Sequence, residues 1–177
     1  EIDPDGRTVV TTTGVRISYD FLVVATGVEL DLDAIPGLRE ALGTAAVSTN
    51  YSYELAPKTW QLLKNFRGGV ALFHMPGTPI KCPGAPQKIM YLAADYFRRQ
   101  GVGATVIYGS ALGGIYGVKE YAAVLNPVVE RYGIDARYSH QLVAIEPARR
   151  EAIFEKTADP AKSRVTISYD MLHVVQP

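Results

Sequence analysis

The chain has 177 residues, with one cysteine, Cys82, and three histidines, His74, His140 and His173. A single cysteine rules out an internal disulfide framework and any cysteine-based zinc centre, and the three histidines lack metal-ligand spacing, so no metal site is expected. What remains is thiol chemistry. Cys82 lies between Lys81 and Pro83-Gly84, shortly before Pro86, which reads as the first residue of a helix. The unsatisfied amides and partial positive charge of a helix start favour a nearby anion. Lys81 and, one turn into the helix, Lys88 add positive potential. The thiolate is the reactive form of cysteine, and such surroundings favour it. Position alone leaves open an inert cysteine that fills a loop pocket.

The elements around Cys82 read as half of a nucleotide-binding βαβ unit. Residues 70–74 are a continuous apolar strand, and a Pro/Gly-rich loop follows. A helix then runs over about 86–100, with Ile89, Met90, Ala93, Tyr96 and Phe97 on one stripe and Arg98, Arg99 and Gln100 in its last turn. Before this unit, 53–66 reads as a helix with Leu55, Thr59, Leu62, Leu63 and Phe66 on one face. After it come a buried strand at 104–108, the glycine-rich loop 109–117 and a helix with Val118, Ala122, Leu125, Val129 and Tyr132 at helical spacing. Pro127 lies inside that helix and is expected to kink or divide it. From Ile134 the pattern returns to strands: about 134–145, 151–156, 164–169 and 171–175, with a turn over 147–150. At the other end, residues 1–20 read as a β-meander, and 21–25 (FLVVA) as a strand covered on both faces. Residues 28–52 read as an irregular connector.

Two parts of the chain repeat. Ile2-Asp3-Pro4 matches Ile145-Glu146-Pro147, and Ile17-Ser18-Tyr19-Asp20-Phe21-Leu22 matches Ile167-Ser168-Tyr169-Asp170-Met171-Leu172. The second copy is slightly longer, and the polar loop near 157–163 can hold the excess. Each copy is a meander followed by an apolar strand. A meander that returns the chain to the parallel sheet recurs in flavoprotein nucleotide-binding domains, so two copies imply two such domains: 1–44 as the tail of a first with a connector, and 45–177 as a second, Rossmann-like domain carrying Cys82. The fold class expected is α/β, a Rossmann-like FAD/NAD(P)-binding domain with a parallel sheet, flanking helices and a β-meander.

Lys+Arg and Asp+Glu number 18 each, so the net charge is zero and no nucleic-acid partner is expected. No apolar run is long enough to span a bilayer. The 11 tyrosines come without basic patches and read as core and interface packing. His74, at the end of its strand, reads as a buried histidine with satisfied ring nitrogens, and His173 has no readable role. The chain opens without Met and closes on the strand-like run MLHVVQP. A soluble piece of a longer protein is therefore expected.

The run PIKCPGAPQKIMYLAADYFR (79–98) resembles the cysteine loop and following helix of sulfide:quinone oxidoreductases of the mitochondrial-type branch. Ser48-Thr49-Asn50-Tyr51-Ser52, Lys58-Thr59-Trp60 and Ser168-Tyr169-Asp170-Met171-Leu172-His173-Val174 carry the likeness through most of the chain. Ala25-Thr26-Gly27 is similar to the ATG element that this superfamily of pyridine nucleotide-disulfide oxidoreductases places near FAD.

The resemblance implies an enzyme in which two cysteines flank a flavin. Sulfide attacks one sulfur of the pair and leaves a persulfide and a thiolate, and two electrons pass through FAD to a quinone. The first step is ordinary thiolate–disulfide exchange. Cys82 would be the cysteine of the second domain, with its partner beyond Pro177. Lys88 would face the flavin and stabilise negative charge on the reduced ring, and Thr26, Gly27, Pro83 and Gly84 would contact FAD. Relatives that use NAD(P)H need GxGxxG after the first strand of the second domain. That position here reads MPGTPIKCPGAPQ, so no NAD(P)H is expected. The implied parent sits on a membrane surface in a bacterium or mitochondrion, and this piece alone is expected to be inactive and to lose FAD. Two alternatives stand beside this reading: a flavoprotein sulfide dehydrogenase with a cytochrome acceptor, and a non-catalytic interaction domain that keeps the fold.

Overall fold

The computed structural model describes residues 1–177. An antiparallel meander opens the chain: β1 (Ile2–Asp3), β2 (Thr8–Val10) and β3 (Arg16–Ser18). Then follow α1 (Leu38–Gly43), β4 (Val47–Ser48), α2 (Ala56–Asn65), β5 (Gly69–Met75), α3 (Ala85–Arg99), β6 (Ala104–Ser110), α4 (Lys119–Arg131) and β7 (Asp135–Arg137). A second antiparallel meander comprises β8 (His140–Glu146), β9 (Glu151–Lys156) and β10 (Arg164–Ser168), and β11 (Met171–His173) returns the chain to the main sheet. That sheet has five parallel strands in the order β4-β11-β5-β6-β7. This is the expected α/β, Rossmann-like arrangement.

Side chains of successive strand residues point to opposite faces, and the sheet uses both. Ala71, Phe73 and Met75 of β5, with Val106 and Tyr108 of β6, pack under the three helices α2, α3 and α4. Leu72 and Ile107 point the other way, against α1 and the second meander, where Leu142, Ile145, Ala152, Phe154 and Ile167 close the core. The apolar stripe of α3 faces the first of these layers, as its spacing predicts: Ile89, Met90, Ala93 and Phe97 are buried. Gly109 in β6 lies so close beneath the Phe154 ring that a Cβ there would overlap it, so the meander reaches the sheet only over a glycine.

The repeat is visible in hydrogen bonds. In the first meander the Tyr19 amide donates to the Arg7 carbonyl at 3.0 Å, and in the second the Tyr169 amide donates to the Arg150 carbonyl at 2.9 Å. Both arginines have left-handed backbone, at φ 48° and 52°. Two non-glycine residues in this sparsely populated region, at equivalent turns with equivalent bonds, mark the same supersecondary unit used twice.

Three expectations are corrected. Residues 21–25 are not a buried strand: they pair with no strand, and Phe21 is 94% and Val23 86% exposed. All five places in the parallel sheet are taken by other segments. The stretch 28–52 is no irregular connector, because it holds α1 and β4, and Ile35, Leu38, Ala41 and Leu42 lie in the core. Its Pro and Gly residues punctuate short elements rather than a linker. Finally, Pro127 does not divide its helix; α4 runs through it. Val129, two residues before the end, is buried in the helix-side core and anchors the segment beyond the proline.

Candidate functional site

Parallel strands deliver their loops to one edge of a sheet, and ligands of open α/β sheets bind where the direction of winding reverses. Here β5, β6 and β7 step one way from β5, while β11 and β4 lie on its other side. The loop leaving β5, residues 76–84, therefore emerges at the reversal point, beside the ends of β4 and β11. It carries Cys82.

Cys82 is an exposed free thiol. Lys81, Pro83 and Lys88 are also exposed, and Gly84 is half-buried. Gly84 is the N-cap of α3 and supplies no side-chain cap; Ala85 is the first helical residue and Pro86 the second, one position later than its spacing suggests. The Cys82 carbonyl accepts the Ala85 amide at 3.2 Å, so Cys82 sits on the opening turn of the helix. Lys88 lines a hollow of about 320 Å³ between α3 and α4, with Gly84, Gln87, Tyr91, Tyr116 and Leu125.

A residue that motif reading passed over touches this loop. Tyr51, just after β4, donates its hydroxyl to the Cys82 carbonyl at 2.6 Å. Its phenol is pushed up to about 12, chiefly by burial and secondarily by Cys82. Tyr51 is held in turn by a buried polar network. Its amide donates to Thr49 Oγ1 at 3.1 Å, and that hydroxyl donates to Gln176 Oε1 at 2.9 Å. The Asn50 amide donates to His173 Nε2 at 3.1 Å, and Thr59 Oγ1 donates to Ser48 Oγ at 3.0 Å. Every residue in the run 48–51 takes part. The sequence signal was there, because this run carries part of the family likeness, but nothing in it names the partners across the sheet.

His74 corrects an expectation. It is fully buried, yet neither ring nitrogen has a hydrogen-bond partner. The nearby Val175 backbone favours its charged form, but burial and the neighbouring His173 outweigh this and bring His74 down to about 3. His173 is brought down to about 4 by burial, and its Nδ1 is unpartnered as well. Both are neutral imidazoles. Because Nε2 of His173 accepts a bond, its proton sits on Nδ1.

Thr26 and Gly27 are exposed, and Gly27 is left-handed at φ 79°. The chain just after them approaches the cysteine loop: Val28, Glu29 and Leu30 line a narrow cleft with Tyr51, the 79–81 segment and Gln176-Pro177. The Asp31 amide donates to the Pro177 carbonyl at 3.0 Å and closes one side of that cleft. At the far end of the loop, the Gly77 amide donates to Gln141 Oε1 at 3.0 Å. No group of three or more His, Cys, Asp or Glu side chains is placed to hold a metal. No helix is long and apolar enough to cross a membrane.

No family model matches the chain. Curated relatives do. It is 42% identical over its whole length to the mitochondrial sulfide:quinone oxidoreductase of Mus musculus, covering 40% of that protein. It is 41% identical over 98% of its length to the Dictyostelium discoideum protein of the same name, covering 38% of it. Over 57% of the chain, identity with a sulfide-quinone reductase of Aquifex aeolicus is 31%. The chain thus spans about two fifths of the length of its mitochondrial relatives. Among solved structures, a chain in the Tetrahymena thermophila mitochondrial ATP synthase structure matches with a TM-score of 0.78 at 22% identity, over all of this chain and 45% of that one. NDH2 of Plasmodium falciparum, solved with NADH, matches with a TM-score of 0.60 at 11% identity. At such identities these two likenesses concern the fold alone.

Proposed function

We propose, for a chain homologous along its whole length to sulfide:quinone oxidoreductases, that it is the cysteine-bearing part of a flavoprotein that oxidises sulfide and passes the electrons to a quinone. In this reading residues 1–44 are the tail of the FAD-binding domain and 45–177 the second, Rossmann-like domain. One observation carries the reading. The only cysteine of a chain 42% identical to such an enzyme is exposed at the reversal point of its parallel sheet.

The chemistry follows from a thiol in that place. Paired with a second cysteine elsewhere in the full-length protein, Cys82 forms one side of a disulfide. Hydrosulfide attacks one sulfur, the S–S bond breaks, one cysteine keeps the added sulfur as a persulfide and the other leaves as a thiolate. A nucleophilic acceptor would then take the outer sulfur of the persulfide, and the two cysteine sulfurs would re-form their disulfide; a bound FAD would supply the acceptor for the electron pair this releases. Two features support a group with hydrogen-bond acceptors against this edge. The Nε2 of Gln176 is buried without a partner beside the cleft, and Thr26 and Gly27, immediately before its Val28, are exposed. Pro83 and Gly84 flank the thiol and would shape the same wall, with Lys88 one turn into α3. The loop MPGTPIKCPGAPQ, without the GxGxxG spacing, supports a reaction without NAD(P)H.

Fold alone does not separate this reading from a non-catalytic domain, because one fold hosts many functions. Mutation does. In the full-length protein, Cys82→Ser is expected to reduce sulfide-dependent quinone reduction to background while the flavin absorbance remains. Turnover at the wild-type rate would overturn the proposal and favour the interaction-domain reading.

A further inference from the structure

The loop 76–84 belongs to neither β5 nor α3 over most of its length, and it is tied at two points. At one end the Gly77 amide reaches Gln141 in β8. At the other the Cys82 carbonyl takes two donors, the Ala85 amide and the Tyr51 hydroxyl. Residues 78–81 between them make no hydrogen bond. Of the two donors on Cys82, the Ala85 amide lies in the same chain segment and moves with it. Ile80 packs on the helix-side core, but Tyr51 makes the only hydrogen bond that reaches Cys82 from outside its own segment.

We propose that Tyr51 is a positioning residue for Cys82, its hydroxyl holding the Cys82 carbonyl at 2.6 Å while Thr49, Gln176 and His173 brace the segment that carries it. The brace is long-range. Thr49 and Gln176 are 127 residues apart, and Asn50 and His173 are 123 apart, so the ends of β4 and β11 are locked before Tyr51 reaches across. Thr49, Gln176 and His173 are all buried, where leaving one of these hydrogen bonds unmade is costly, so the geometry has few alternatives. With its phenol held near 12, Tyr51 stays a donor at every pH at which a thiol enzyme works. A thiol that must meet a disulfide partner and a flavin in turn needs its backbone fixed, because misplacement by about an ångström can cost a hundredfold in rate.

The inference rests on the reading of Cys82 as the reactive thiol, and the test separates the two. In the full-length protein with FAD bound, Tyr51→Phe removes only the hydroxyl. Sulfide-dependent kcat is expected to fall at least tenfold, with KM for the quinone within twofold of wild type and flavin content unchanged. Deuterium uptake in a peptide spanning 78–84 is expected to rise. A side chain that merely packs would leave that split between kcat and KM unmoved. Wild-type kcat in Tyr51→Phe, beside an inactive Cys82→Ser, overturns the positioning role and leaves the Cys82 reading standing. An active Cys82→Ser overturns both. Thr49→Val, which keeps the phenol but removes the acceptor of the Tyr51 amide, guards against a Tyr51 variant that fails to fold: kcat is expected to drop at least threefold, and an unchanged kcat also overturns the role.

Discussion

His74 and His173 stand at the ends of neighbouring strands with no exposure to solvent, and their ring nitrogens find only one protein partner among them. Such a pair is an acid-labile point. Each imidazole is neutral in the folded protein, at about 3 for His74 and about 4 for His173, and takes up a proton near 6.5 once unfolded. Below 6.5 the unfolded state binds more protons, so stability is fully present above that pH and is lost as pH falls towards the folded values. Between pH 6.5 and 5 the loss is about 2 kcal/mol for each histidine. Urea midpoints of the purified chain should therefore fall over that window. In His74→Leu the fall should be about half as steep, and a profile as steep as wild type would remove His74 from this account.

Among the elements, α4 and α1 show how local cost is offset by packing. Pro127 deprives α4 of one backbone hydrogen bond and crowds the carbonyl a turn earlier, a cost of about 3 kcal/mol in a helix interior. The helix nevertheless continues, because Val129 and Tyr132 beyond the proline pack on the core. Pro127 itself is exposed. Pro127→Ala should thus raise stability by about 1–3 kcal/mol, read as an increase in Tm; an unchanged or lower Tm would mean that α4 has already absorbed the proline. The six-residue α1 is too short to stand alone. It is held by three buried side chains and by Lys58 of α2, whose ammonium donates to the Leu42 and Thr44 carbonyls at its end. Burial lowers the Lys58 pKa.

For the molecule as a whole, the unpartnered segment is 21–24. Phe21, Val23 and Val24 expose apolar side chains on a backbone whose amides and carbonyls are unpaired, features that invite pairing as a strand edge does. The purified chain is expected to self-associate through this segment. The double substitution Phe21→Asp and Val23→Lys should abolish concentration-dependent light scattering while leaving stability within about 0.5 kcal/mol of wild type, because neither side chain packs in the folded chain. Scattering that persists in the variant would move the contact elsewhere, with the groove between α2 and α3 at Trp60, Leu92 and Tyr96 the next surface to examine.

Period and propensity alone determined the elements around the site: the strand before Cys82, the helix after it with its stripe of Ile89, Met90, Ala93 and Phe97, and the first meander, whereas the run 134–145, expected as one strand, divides into β7 in the main sheet and β8 in the second meander. Those features are local, so a single window of sequence contains them. Cys82 itself was legible because its loop lacks the glycines of a phosphate cradle and holds the only thiol. What the window cannot contain is which segment takes which place in the sheet. Tyr169-Asp170-Met171-Leu172 and Tyr19-Asp20-Phe21-Leu22 read alike, yet Met171 is 1% exposed between β4 and β5 while Phe21 is bare. A sheet has one place beside each strand edge, and β11 occupies the one at β5. The same long-range placement decided that His74 is unpartnered and that Tyr51 meets Cys82, 31 residues away. Such contacts depend on the ends of β4, β5 and β11 arriving together, and only the folded sheet brings them there.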